Sequence, residues 1–189
     1  MLGAALLAPQ AILAQQLPVG PSVIAGSARI SSNGGRMDIV NAPGTVINWQ
    51  GFSIGAQNAV NFQQQSAASQ VLNRVTGSDP STILGNLTSN GQVWLINPNG
   101  VLFGKGARVD VAGLVASTLA LSDGDFLARR ARFAASGDTR SGSVINQGQI
   151  RTTLGGRVWL LGDQVGNEGL ITTPGGQIVL AAGRSIELV

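Results

Sequence analysis

The carboxylates are the first residues to weigh for chemistry. Asp38, Asp79, Asp110, Asp163 and Glu168 are scattered, and Asp123 with Asp125 sits in a basic, glycine-containing stretch. Glycoside cleavage needs two carboxyl groups held across one bond, one as acid and one as base or nucleophile, and no such pairing is visible in this order. The chain contains neither cysteine nor histidine, which removes thiol catalysis, thiolate metal sites, the usual general base and the commonest metal ligand. Gly104-Lys105-Gly106 in GVLFGKG glances towards a phosphate loop. It has one residue too few between glycines, however, and Gly106 stands where Ser or Thr is required. Calcium-binding repeats and EF-hand loops are missing. The sequence therefore predicts no catalytic residue, no metal site, no cofactor and no enzyme.

The same segment holds a better-specified feature. WLINPNGVLFGKGARVDV, residues 94–111, places two apolar bursts around Asn97, Pro98, Asn99 and Gly100. Proline fixes φ at the second position of a turn, and asparagine and glycine suit the later ones. Asn97 can close the turn by bonding its side chain to the backbone ahead, as an Asx turn.

Composition sets the frame for these elements. Only 11% of the 189 residues are charged, 4% are aromatic and 27 are glycine, as in a β-rich chain with many tight corners. The pI near 11.0 arises from a surplus of only +3 in a chain without His, Cys or Tyr. The one dense basic cluster, Arg129, Arg130 and Arg132, has no aromatic platform beyond Phe126 and Phe133, so nucleic acid is not an expected partner. Residues 1–14 are apolar for most of their length and read as a signal peptide, trimmed of its basic start and ending at Ala14. A short buried segment is the alternative. With Pro9 and Gln10 inside, the stretch is too short to span a bilayer.

An internal repeat organises the rest. GQVWLIN (91–97), GRVWLLG (156–162) and GQIVLAAG (176–183) are copies of one phrase, the last two 20 residues apart. Val93, Val158 and Ile178 correspond, as do Leu95, Leu160 and Leu180; Trp94, Trp159 and Val179 form a third column. A period near 20 with β-branched runs predicts a solenoid whose coils stack equivalent side chains at about 4.8 Å, a parallel β-helix. If the leucines point inward, Trp94 and Trp159 point outward, as an exposed stripe for glycan or a partner strand unless the 122–142 excursion covers them. That excursion, rich in acids, arginines and glycines, reads as a hairpin or short helix outside the coils. Short strands are expected at 37–40 and 46–49, and a helical look at QQQSAASQVLNRV, 63–75. Asn86 lies in the one Asn-x-Thr sequon. SIELV ends the chain in a strand-like run without a cap, so a longer protein is expected beyond it.

VINWQGFSIGAQNAVNFQQ (46–64), VLNRVTG (71–77), GNLTSNGQVWLINPNGVLFGKGARVDVAGLVAST (85–118), SDGDFLA (122–128) and GSVINQGQI (142–150) carry a further signal. Together they resemble the N-terminal secretion domain of the filamentous haemagglutinin family, the exported partners of Gram-negative two-partner secretion systems. Asn97, Pro98, Asn99 and Gly100 match that family's NPNG motif. Its NPNL motif has no counterpart between Phe62 and Leu72, a departure pointing to the branch of high-molecular-weight adhesins and haem-acquisition exoproteins. The resemblance implies an all-β, right-handed parallel β-helix over 15–189, with an N-terminal cap and extra-helical strands or a hairpin. It also implies a secretion-targeting and folding-initiation domain, recognised by the POTRA domains of an outer-membrane β-barrel transporter. The protein would be secreted or held at the cell surface, its downstream passenger meeting a host or cell-surface receptor. Trp49, Phe52 and the 97–100 turn are the recognition candidates. A β-helical polysaccharide-active enzyme and a stand-alone glycan-binding module remain the alternatives.

Overall fold

A computed structural model describes residues 16–137 and 142–188; the expected signal peptide lies outside this range. The chain winds repeatedly through three walls of strands. The first wall is a 7-stranded sheet of Ser22–Ala25, Thr45–Trp49, Gln70–Val75, Gln92–Ile96, Gly113–Ser117, Arg157–Gly162 and Gln177–Ala182. The second is a 4-stranded sheet of Ser81–Ile83, Val101–Phe103, Ser143–Asn146 and Gln164–Asn167. The third, again 7-stranded, holds Ala28–Asn33, Arg36–Asn41, Ala59–Gln63, Asn86–Ser89, Arg108–Val111, Gln149–Thr152 and Leu170–Thr172. Successive coils pair in parallel within each wall, so the fold is the parallel β-helix that the repeat predicts.

The predicted columns are in register, with one rung more than the repeated phrase reveals. Val93 pairs with Leu114, Leu114 with Val158, and Val158 with Ile178. Leu95, Ala116, Leu160 and Leu180 form the next inward column. Gly113–Ser117 is thus a rung of the first wall that lacks both the tryptophan and the Gln or Arg of the neighbouring copies. Alternation puts Val93, Leu114, Val158, Leu95, Ala116 and Leu160 in a continuous interior core with Phe62, Phe103, Ile83 and Leu87.

At the N-terminal end of the stack the first and third walls are closed by antiparallel pairing. Ser22–Ala25 runs antiparallel to Thr45–Trp49, and Ala28–Asn33 antiparallel to Arg36–Asn41. Reversing direction caps the stack, because the next parallel coil has no continuation there, and the edge is covered. Trp49 and Phe52 plug the interior just below this cap, edge to face at 5.5 Å.

The segment with a helical look is the strand Gln70–Val75, packed between Thr45–Trp49 and Gln92–Ile96. Val71 and Val75 enter the interior, while Leu72 is buried on the opposite face. A strand buried on both faces loses its apolar alternation, and the run then imitates a helix. Asn73 is the polar residue in this rung. Fully buried, it accepts the Trp49 Nε1 hydrogen at 2.9 Å and donates to the Trp94 carbonyl at 3.3 Å.

The excursion forms both alternatives foreseen for it. A one-turn helix, Asp123–Leu127, is capped by Ser122, whose Oγ accepts from the Asp125 N–H at 3.0 Å. Ala131–Ala134 follows as a strand between Ala120–Leu121 and Ser185–Leu188, all antiparallel. The strand-like terminal run is therefore no further coil; it turns back onto the excursion. This lid lies over the outer face of the first wall, where Phe126 and Phe133 join Leu72, Trp94, Val115 and Trp159 in a second core. Arg74 ties it down, donating to the Leu121 carbonyl at 2.8 Å and pairing with Asp123 at 2.7 Å.

Replacing Asn73 by Ala leaves the Trp49 indole N–H and the Trp94 carbonyl short of a partner. A loss of about 2–3 kcal/mol of unfolding free energy is expected, read from urea denaturation followed by tryptophan fluorescence.

Candidate functional site

The 97–100 turn joins the first wall to the second, between Gln92–Ile96 and Val101–Phe103. The Asx closure forms as expected: Asn97 Oδ1 accepts the Asn99 backbone N–H at 3.0 Å and the Asn99 Nδ2 hydrogen at 3.0 Å. The Asn97 carbonyl accepts the Gly100 N–H at 3.1 Å. Gly100 stands at φ +125°, in the region that side chains rarely enter.

The turn is also sewn to the coils on either side. Asn97 Nδ2 donates to the Asp79 carbonyl and to Ser81 Oγ, each at 3.0 Å, and Asn99 Nδ2 reaches the Gly77 carbonyl at 2.8 Å. On the other side the Pro98 carbonyl accepts the Gly142 N–H at 2.7 Å. Asn97 is fully buried, whereas Asn99 is exposed. One asparagine builds the corner and the other displays it.

Gly104-Lys105-Gly106 is the next corner, between Val101–Phe103 and Arg108–Val111. The Gly104 N–H donates to the Ile83 carbonyl at 2.8 Å, and a Cβ there would approach Leu84 Cδ2 to 2.5 Å. Glycine leaves room there for the Leu84 side chain of the neighbouring coil, and no helix follows to receive a phosphate.

The other named residues lie apart from the turn. Trp49 and Phe52 are 0% and 1% exposed inside the solenoid, so neither offers a surface in the folded protein. Trp94 and Trp159 do point away from the interior, but they are no exposed stripe: the lid leaves them 3% and 6% exposed. Trp94 stacks on Phe133 with centroids 6.0 Å apart and meets Phe126 edge-on at 5.5 Å. Sequence reasoning passed over Arg74, the lid's tether. Its signal was an arginine in an otherwise apolar strand and an acid at the start of the excursion.

Asp38, Asp125 and Asp123 are each engaged by an arginine. Arg36 holds Asp38 below the ordinary carboxylate range through a bidentate contact, with help from Asn61. Arg130, then Ser122, does the same for Asp125. Asp123 serves Arg74. Among the described residues no cluster of three or more acids could hold a metal, and no helix is long and apolar enough to cross a membrane.

The profile of the TPS secretion domain matches residues 14–188. A heme/hemopexin-binding protein of Haemophilus influenzae is 41% identical over 180 residues, which cover 90% of this chain and 19% of that protein. A second Haemophilus influenzae protein of that name is 47% identical over 72 residues, 38% of this chain and 8% of its own length. The chain thus spans about a fifth or less of the curated relatives it matches. The crystal structure of the HMW1 secretion domain from Haemophilus influenzae superposes with a TM-score of 0.87 at 39% identity, covering 90% of this chain and 46% of that one.

Asn97→Ala strips a buried corner of both donor and acceptor, and an unfolding free energy lower by about 2–4 kcal/mol is expected. Asn99→Ala, at an exposed site, is expected to cost less than about 1 kcal/mol; chemical denaturation of both variants compares them. Depressed carboxylates contribute stability that is present above their unfolded pKa and lost as pH falls through the folded one. With Asp38 and Asp125 lowered and no histidine in the chain, the thermal midpoint should stay level from about pH 6 to 8. It should fall only below the ordinary carboxylate range near pH 4, as calorimetry across pH would show.

Proposed function

The chain belongs to the TPS secretion domain family, and from that premise we propose that it directs a larger exoprotein through a dedicated outer-membrane transporter and begins that protein's folding outside. The domain reaches the transporter's periplasmic POTRA domains unfolded. Short, weakly charged strand segments pair there by β-augmentation with an exposed sheet edge. In that extended state Trp49 and Phe52, deep inside the folded solenoid, are available as anchors, and the Asn97–Gly100 turn forms locally because its Asx bond needs no second coil.

The observation that supports the folding half is the in-register parallel stacking of coils, up to the one built of Gln164–Asn167, Leu170–Thr172 and Gln177–Ala182. A following coil docks there in register and gains a nearest-neighbour interface without a new nucleus. The antiparallel cap closes the opposite end, so growth has one direction, and stacking supplies free energy where no nucleotide is available.

The likeness to heme/hemopexin-binding proteins extends the proposal to the whole protein: a surface or secreted exoprotein whose recognition of a host ligand resides beyond this domain. This chain, lacking histidine and cysteine, brings neither of the usual haem-iron ligands of those types.

Export tests the reading. The parent chain and the Asn97→Ala and Asn99→Ala variants are produced in a Gram-negative host with and without the cognate transporter, and the exported fraction is measured. Transporter-dependent export is expected for the parent, with a several-fold drop for both variants. Because Asn99→Ala leaves the fold nearly intact, its drop reports recognition. Export of both variants at the parent's level would sink the turn's role in recognition, and export without the transporter would sink the whole reading.

A further inference from the structure

The first residues of the first-wall strands stack in a column of their own: Gln70, Gln92, Gly113, Arg157 and Gln177. The column runs beside Leu72, Trp94, Val115 and Trp159 on the outer face, yet the lid stops short of it. Between column and lid lies a cleft of about 750 Å³, within the ordinary size of small-ligand sites.

The cleft is polar and ordered. Gln70 Nε2 donates to Gln92 Oε1 at 3.2 Å, and Trp159 Nε1 donates to Gln177 Oε1 at 3.2 Å. The Arg157 guanidinium lies 5.0 Å above the Trp159 ring, an arrangement that fixes its plane while leaving its hydrogens free to donate. Arg129 lines the cleft from the lid side, held at φ +57°, the one positive φ of a non-glycine among the described residues. Arg36, Arg74, Arg130, Arg132 and Arg184 each have a carboxylate partner; among the described residues Arg129 and Arg157 have none, as Arg29, Arg108 and Arg151 have none, but only the first two line this cleft. Trp94 also lines the cleft, and its buried indole N–H has no acceptor. Buried donors left without a partner are rare and call for an explanation.

We propose that this cleft binds a carboxylated saccharide, a uronic-acid oligosaccharide in chemical class. The carboxylate sits between Arg129 and Arg157, where guanidinium groups favour planar, bidentate acceptors. Gln70, Gln92 and Gln177 each carry a donor and an acceptor, the pairing that vicinal hydroxyls require. Five rungs spaced by about 4.8 Å give a row roughly 19 Å long, suited to a short oligosaccharide. A β-strand peptide fits poorly, because this face presents side chains and no free main-chain edge. Nucleic acid fits poorly too, because the tryptophan faces on which bases would stack are covered. The site is independent of the export reading: it belongs to the folded domain and needs no transporter.

Calorimetric titration of the full 189-residue chain with tetragalacturonate, maltotetraose and a sulfated tetrasaccharide tests the assignment. Tetragalacturonate is expected to bind at least tenfold more tightly than either of the others. Arg157→Gln and Arg129→Gly should each weaken it at least tenfold. Glycine tolerates the backbone of residue 129 without strain, so Arg129→Gly removes the guanidinium with the fold preserved, and an unchanged thermal midpoint verifies this. Arg36→Gln, on the third wall, should leave affinity unchanged. No heat at millimolar tetragalacturonate, equal binding of maltotetraose, tighter binding of the sulfated sugar, or an equal loss from Arg36→Gln would each overturn the proposal.

Discussion

Everything in this domain depends on one coil lying in register on the next. A strand in a parallel β-helix has its backbone donors and acceptors filled only by the coils before and after it, and its inward side chains are covered only by their equivalents. No coil is stable alone. Val93 is buried because Leu114 and Val71 flank it, and the same holds along every column. That dependence explains why the corners are built with such care. A coil that turned one residue late would put Trp94 where Leu95 belongs, and every side chain of that rung would change face.

The Asn97 corner shows how register is enforced chemically. Its side chain satisfies its own turn with one atom and the preceding coil with the other, so the turn closes fully only when both coils are placed. Asn146 repeats the device in a later coil, accepting from the Gly148 N–H at 3.1 Å and donating to Asn167 Oδ1 at 2.7 Å. Buried asparagines of this kind contribute specificity of placement more than burial energy, since their alternative is an unpaired amide in an apolar interior.

The lid adds a second requirement. The outer face of the first wall is as apolar as the inner one, and an exposed Leu72, Trp94, Val115 and Trp159 would form a sticky stripe. The excursion returns over it, tethered by Arg74 and completed by Ser185–Leu188, two coils later in the sequence. The lid therefore completes only after the coils beneath it, and its incomplete coverage leaves the polar column of Gln70, Gln92, Arg157 and Gln177 open at its border.

The repeated phrase was enough to read the architecture: Val93, Val158 and Ile178 share a column because period and alternation are properties of the chain itself. The Asx turn at Asn97 was legible for the same reason, as a bond between residues two apart. What the sequence could not disclose was whatever depends on residues remote in the chain. Gln70–Val75 looked helical because burial on both faces erased its alternation, and that burial comes from the lid and from two other coils. Trp94 and Trp159 were oriented correctly, with coverage by the excursion set against an exposed stripe, and only Phe126, Phe133 and Ile186, folded back in space, decide that they are covered. The plug of Trp49 on Asn73 likewise joins residues 24 apart. Local covalent periodicity set the strands, corners and inward columns; the docking of distant segments, which has no period to read, decided which outward surfaces were sealed and which were left open.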